Sequence, residues 1–297
     1  MKLCYLIGYP IEHSMSPTMH NAAFRHIGLK YEYQTRAVEP GHLEEFIEGS
    51  LRSPSVRGAN VTIPHKVAMV RLMDRLDKTA KSIGAVNTVV NDRRTLTGYN
   101  TDGLGAVRAL EEAVGDLRGL KVVLLGAGGA ARAVSHSLVG LVSDLTILNR
   151  DEGKATELKE SVQRLGGTLV KSACLGDLAS IISSTNILIN ATPVGMEPHT
   201  EATPLNPKLL HADLLVFDLI YNPPQTRLLA DAEAVGAKTL SGIKMLVYQG
   251  AEAFRLWTGV EPPEALMMSV VKQRLGARAE RVFSEIIRLC VEAEERL

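Results

Sequence analysis

Short apolar runs closed by glycine, asparagine or proline alternate along the chain with segments whose apolar positions recur every three or four residues. That alternation of strand-like and helix-like patterns predicts an α/β protein. Lys2 to Ile7 reads as a strand, Pro17 to Ile27 as a helix, Tyr31 to Ala37 as a strand and Gly41 to Gly49 as a helix. A strand around Ala59 to Ile63, a short helical stretch and a helix from Asp77 to Ile83 follow. Val86 to Asn91 and Thr95 to Tyr99 read as a hairpin about Asp92-Arg93-Arg94, Asp102 to Val114 as a helix, and Gly115 to Gly119 as a linker.

The second half begins with a buried run, Lys121 to Leu125, that stops at Gly126 and leads into an alanine-rich helical segment. Leu145 to Leu148, Ile187 to Asn190, Leu215 to Ile220 and Lys238 to Leu240 are the next strand candidates, separated by helical or loop sequence as a doubly wound parallel sheet requires. Gly242 to Trp257 reads as one long helix, and Pro262 and Pro263 open another. In the last segment Val282, Ile286, Leu289 and Ala293 form an apolar stripe with charges between them. Such a stripe packs either on the chain's own first domain or on a second copy, as in a homodimer.

The turn at Gly126 carries the strongest chemistry. Gly126, Gly128 and Ala131 fit G-x-G-x-x-A between a strand and a helix. The first glycine permits a tight turn, the second lets backbone approach a pyrophosphate, and the alanine lets helix pack on strand. Free N–H groups at the helix start favour the anion. Asn149-Arg150-Asp151 follows the next strand, with Lys154 one turn on. Arg150 and Lys154 suit a 2′-phosphate and favour NADP, whereas Asp151 opposes it or accepts from a ribose hydroxyl. The expected fold is two α/β domains flanking a cleft, the second Rossmann-like. Residues 1–115 would form the substrate domain, 120–241 the dinucleotide domain, and 242–297 helices that return to the first domain.

Composition narrows the partners. The 297 residues carry 33 basic and 33 acidic side chains, which gives no electrostatic reason to expect nucleic acid or an acidic membrane. No apolar run reaches the roughly 18–20 residues of a membrane span. Three scattered cysteines make neither a zinc spacing nor a disulfide framework, which fits a reducing cytoplasm.

Four polar clusters mark the strand ends of the first half. His13-Ser14-Met15-Ser16-Pro17 precedes a helix that Ser16 could cap, but capping does not account for Ser14 or for His20-Asn21. His13 and His20 lack a third ligand, so no metal is expected. In Asn60-Val-Thr62-Ile-Pro64-His65-Lys66, the lysine would open a helix, where the dipole disfavours a cation. Asn87 lies in Gly84-Ala-Val-Asn87-Thr88, and Asp102 in Gly98-Tyr-Asn100-Thr101-Asp102. Asp102 reads either as a helix N-cap or as partner to Lys66 in an acid/base pair. On the cofactor side stand Asn190-Ala-Thr192-Pro193-Val-Gly195-Met196, Asp218-Leu-Ile-Tyr221, and a helix start in which Gly242, Met245 and Gln249 share a face.

These clusters, in this order, resemble the shikimate dehydrogenase family over roughly residues 3 to 275. The resemblance implies a two-domain enzyme that reduces 3-dehydroshikimate to shikimate with NADPH in aromatic amino-acid biosynthesis; the related quinate/shikimate dehydrogenases, which use NAD or NADP, are the alternative. It implies that Lys66 and Asp102 are catalytic and that Ser14 and Ser16 bind the substrate carboxylate. Thr62, Asn87, Tyr221 and Gln249 would contact the carboxylate or ring hydroxyls. Gly126, Ala127, Gly128, Gly129, Ala130, Asn149, Arg150, Lys154, Thr192, Gly242 and Met245 would surround NADP.

Overall fold

The computed structural model describes residues 1–11 and 14–277, so His13 and the apolar stripe at 282–293 lie outside the described residues. The first sheet has six strands: β1 (Lys2–Gly8), β2 (Tyr31–Ala37), β3 (Val56–Val61), β4 (Arg75–Leu76), β5 (Thr88–Asp92) and β6 (Thr95–Tyr99). Their order is β2-β1-β3-β5-β6-β4. β1 runs parallel to β2 and β3, while β3–β5 and β5–β6 are antiparallel, so this sheet is mixed. The hairpin turns where expected: Arg93 and Arg94 take φ of 50° and 75°, as a two-residue turn between twisted strands demands. The Asn91 side chain accepts from the Arg94 N–H at 2.8 Å and holds that turn.

Helices α1 (Ser16–Ile27), α2 (Leu43–Phe46) and α3 (Lys78–Ile83) connect these strands, and α4 (Asp102–Val114) leads from β6 to the second sheet. The segment read as one helix over 41–49 is 3₁₀ at Pro40–His42, α in α2 and π at Ile47–Leu51. Ser16 does not cap α1. Met15 occupies the cap position, and Ser16 is already helical and buried. Asp102 likewise does not cap α4: Thr101 holds that position, and Asp102 is the first helical residue.

The second sheet is parallel throughout, in the order β12-β11-β10-β7-β8-β9. Its strands are β7 (Lys121–Leu125), β8 (Asp144–Leu148), β9 (Leu169–Ala173), β10 (Ile187–Asn190), β11 (Leu215–Asp218) and β12 (Lys238–Ser241). α5 (Gly129–Leu138), α6 (Glu152–Gln163), α7 (Leu178–Ile182) and α8 (Arg227–Ala234) complete the crossovers. The order reverses between β7 and β10, the place where doubly wound sheets open a crevice at the strand ends. β9 escapes the sequence pattern because only Val170 of its five residues is buried.

α9 (Ile243–Thr258) packs back on the first sheet. The fully buried Trp257 donates its indole N–H to Val89 O at 2.9 Å, and Arg57 Nε donates to Trp257 O at 2.7 Å. A last helical segment, residues 264–277, buries Met267, Val271 and Leu275 and pairs Glu264 with Arg108 at 2.7 Å. Among the described residues no helix is long and apolar enough to cross a membrane.

Two glycines in α4 permit the contact between the halves. A Cβ on Gly105 would stand 2.9 Å from both Met245 O and Gln249 N of α9, and one on Gly103 would stand 2.6 Å from Ala133 O of α5. Gly103→Ala should therefore force α4 away from α5. Overpacking of this kind costs roughly 1–3 kcal/mol, read as a lower urea midpoint with unchanged slope; an unaltered midpoint would show that the helices have room to spare.

Candidate active site

Strand ends and helix starts from both halves converge on one cavity of about 320 Å³. The turn after β3 brings Thr62 and Lys66, β5 is preceded by Asn87, and α4 opens with Asp102. Lys66 lies not in a helix but in the turn before a 3₁₀ segment, Ala68–Leu72, so no helix dipole opposes its charge there. Its Nζ donates to Asp102 Oδ2 at 2.5 Å, with the lysine side chain 15% and the aspartate 5% exposed.

The other oxygen, Asp102 Oδ1, accepts from Asn87 Nδ2 at 2.8 Å. The backbone fixes that amide's direction: Thr101 N–H donates to Asn87 Oδ1 at 2.8 Å, so the carbonyl end is taken and the NH₂ end faces Asp102. Thr88 Oγ1 donates to the same Asn87 oxygen at 3.0 Å and accepts from Asn60 Nδ2 at 3.0 Å, and Tyr33 O–H donates to Asn60 Oδ1 at 2.8 Å. Asn60, Thr88 and Thr101 are all buried. A chain of donors thus ends on Asp102, which must accept on both oxygens.

Ser14 and Ser16 line the same cavity beside Tyr221 and Gln249. Ser14 Oγ accepts from Ser16 N–H at 3.3 Å. Tyr221 enters the cavity from the opposite half, and burial raises its pKa above the phenol value. Gln249 is held by its own helix, Nε2 donating to Leu246 O at 2.8 Å, while its Oε1 meets Asn87 Nδ2 at 3.3 Å.

Of the residues expected at a cofactor, Ala130, Thr192, Gly242 and Met245 line this cavity. Gly126, Ala127, Gly128 and Gly129 form the turn from β7 into α5. Gly126 has φ +111°, open only to glycine at low cost, and its Cβ position lies 3.1 Å from Ala191 O. Gly128 caps α5 without a side-chain bond, and a Cβ there would point into open space. The turn leaves the N-terminus of α5 open, as a G-x-G-x-x-A turn requires if it is to admit an anion. It also lies beside the Lys66–Asp102 pair, since a Cβ on Gly129 would stand 3.1 Å from Lys66 Cβ.

Asn149, Arg150 and Lys154 do not line the cavity; they stand at the end of β8 and the start of α6. Asp151 there is an N-cap, its Oδ1 accepting from Lys154 N–H at 3.2 Å and its Oδ2 lying 3.5 Å from Lys154 Nζ. Asn149 Nδ2 donates to Asp151 O at 3.0 Å. Sequence reasoning missed the apolar part of the lining, among it Tyr9, Ile11, Ile63 and Leu219, which no polar motif signals.

Three family models cover most of the chain: Shikimate dehydrogenase substrate binding domain at residues 6–89, Shikimate / quinate 5-dehydrogenase at 108–221, and Shikimate 5'-dehydrogenase C-terminal domain at 242–272. The Shikimate dehydrogenase (NADP(+)) of Methanopyrus kandleri is 48% identical over 277 residues, 91% of this chain and 94% of its own. The chain belongs to the shikimate dehydrogenase family. A shikimate dehydrogenase crystallised with NADP+ superposes with a TM-score of 0.86 at 41% identity, covering 93% of this chain and 96% of that one. The Listeria monocytogenes enzyme, in complex with shikimate and NAD, gives 0.82 at 38% identity over 91% and 96% of the two chains.

Lys66→Ala leaves Asp102 and Asn87 in place and removes the one ammonium from the pair. Turnover should fall about 10²–10⁴-fold, the usual worth of a positioned acid or base, with little change in substrate KM. A steep rise in KM at constant kcat would make Lys66 a binding group instead.

Proposed function

We propose that the chain catalyses the NADP-dependent, reversible reduction of 3-dehydroshikimate to shikimate. The observation that carries this reading is the Lys66–Asp102 pair, placed in one cavity between the serine hydroxyls and the residues beside the dinucleotide cradle. NADPH, when bound, supplies the hydride. It would be held by the turn Gly126 to Ala130, by Thr192, Gly242 and Met245, and at its 2′-phosphate by Arg150 and Lys154.

Lys66 Nζ gives a proton to the carbonyl oxygen as that carbon is reduced, and takes the hydroxyl proton back in oxidation. Asp102 orients the ammonium and Asn87 orients Asp102. Ser14 and Ser16 hold the carboxylate of the substrate, with Thr62, Tyr221 and Gln249 against the carboxylate or ring hydroxyls. The cytoplasm is its proposed compartment, and the substrate domain 1–115 and dinucleotide domain 120–241 divide the work, with residues 242–277 returning to the first.

Purified protein should oxidise shikimate with NADP+ and reduce 3-dehydroshikimate with NADPH, followed at the nicotinamide absorbance. Faster turnover of quinate than of shikimate at saturating cofactor would overturn the substrate assignment.

The Asp151 carboxylate offsets part of the Lys154 charge, so NAD should be disfavoured without being excluded. Asp151→Thr keeps a capping oxygen and frees the lysine. The preference for NADP over NAD in kcat/KM should rise roughly two- to fivefold, the scale of one exposed charge pair. No change in that ratio would show that the pair faces away from the ribose.

A further inference from the structure

A second buried carboxylate lies outside the acid/base pair. Asp218 ends β11, is fully buried, and stands in register with Asn190 at the end of β10. Parallel pairing at the same level puts the two side chains on one face of the sheet, at the crevice where the strand order reverses. The two loops that leave these strands carry residues of the cavity, Thr192 and Met196 on one, Leu219 and Tyr221 on the other.

Asp218 binds both loops. Its Oδ1 accepts from Asn190 Nδ2 at 3.1 Å and from Ile220 N–H at 3.1 Å. Its Oδ2 accepts from Thr226 Oγ1 at 2.7 Å. Asn190 passes the constraint on, its Oδ1 accepting from Thr192 N–H at 3.0 Å and from Thr192 Oγ1 at 2.6 Å, while its Nδ2 reaches Val194 O at 3.3 Å. On the other side, Ile220 precedes Tyr221, which lines the cavity together with Ser14. One carboxylate therefore fixes the position of a cofactor-side threonine relative to a substrate-side tyrosine.

We propose that Asp218 is a positioning residue for the reaction, holding the 190–196 and 219–226 loops in one register so that substrate and nicotinamide meet at Lys66. The inference rests on the placement of shikimate and NADP in this cavity. Burial is not offset by a paired cation: it pushes the Asp218 carboxyl up to about 6, against the hydrogen bonds from Thr226, Ile220 and Asn190 that lower it. A folded-state value above the ordinary 3.8 means that this group favours folding below that pH and that its contribution is lost as pH rises through about 6. At neutral pH the charge is thus a cost to the fold, which speaks for a role other than stability.

The test compares Asp218→Ala and Asp218→Asn with wild type at pH 8, measuring Tm, the KM for shikimate, the KM for NADP and kcat. Asp218→Asn keeps an acceptor for Asn190 and Ile220, and its amide can donate to Thr226 Oγ1, so its Tm should hold or rise and both KM values should stay within about threefold. Asp218→Ala orphans three donors, and both KM values should rise together while kcat/KM falls about 10²-fold, the scale of an ångström's misplacement. Wild-type turnover reports on the ligands, and the ratio of variant to wild type reports on Asp218. A folded Asp218→Ala protein with unchanged KM values, or with only one of the two raised, overturns the proposal. If that variant does not fold, Thr226→Val decides. It keeps the shape and removes the donor to Oδ2, so it should raise the KM for shikimate, and an unchanged value overturns the proposal.

Discussion

The close approach of α4 to α5 on one flank and to α9 on the other is what every other feature of the molecule rests on. Gly103 and Gly105 carry no side chain at the two contacts, where a Cβ would meet Ala133 O at 2.6 Å and Met245 O at 2.9 Å. α4 begins with Asp102, α9 carries Gln249, and α5 begins at the glycine turn. Packing these three helices backbone to backbone brings the Lys66–Asp102 pair, the Gln249 amide and the glycine turn after β7 to one point. The aromatic anchor of α9, Trp257, fixes the far end against β5 through Val89 O at 2.9 Å.

Within that frame the polar groups leave each other little freedom. A backbone N–H at Thr101 takes the carbonyl of Asn87, the amide of Asn87 takes one oxygen of Asp102, and Lys66 takes the other. In a buried network each group's donor or acceptor role is set by its neighbours, so the pair's orientation precedes substrate binding. Gly129, by carrying no side chain, leaves room for the stem of the same lysine beside the glycine turn, where a Cβ would stand 3.1 Å from Lys66 Cβ. Asp218 does for the two loops over the crevice what Asn87 does for Asp102.

Much of this was legible in the residues. The G-x-G-x-x-A turn, the hairpin at Arg93-Arg94 and the strands that are buried on both faces follow from local pattern and were expected within a few residues. Polar residues at strand ends also declared themselves, because Asn60, Asn87 and Asp102 have no reason to sit beside apolar strands unless something binds them. What the pattern hid is of two kinds. Of the two readings open at Asp102 and the cap reading offered for Ser16, the cap readings do not hold: the helix starts so that the side chain serves the cavity or its network and a neighbour takes the cap position. Non-local pairings were invisible: the register of Asn190 with Asp218, the meeting of Tyr221 and Ser14 in one cavity, and the antiparallel placement of β5 in a sheet expected from alternation alone. Those depend on strand order, which the sequence does not state.

The most direct measurement is a crystal structure of the wild-type protein with shikimate and NADP+ bound together. The oxidisable hydroxyl should lie within hydrogen-bond distance of Lys66 Nζ, with the substrate carboxylate on Ser14 and Ser16 and the nicotinamide between Thr192 and Met245. The α4 contacts and the Asn87–Asp102 bond should be those of the free protein. Shikimate bound with its reactive hydroxyl away from Lys66, or a Lys66–Asp102 pair broken apart by the ligands, would contradict the account.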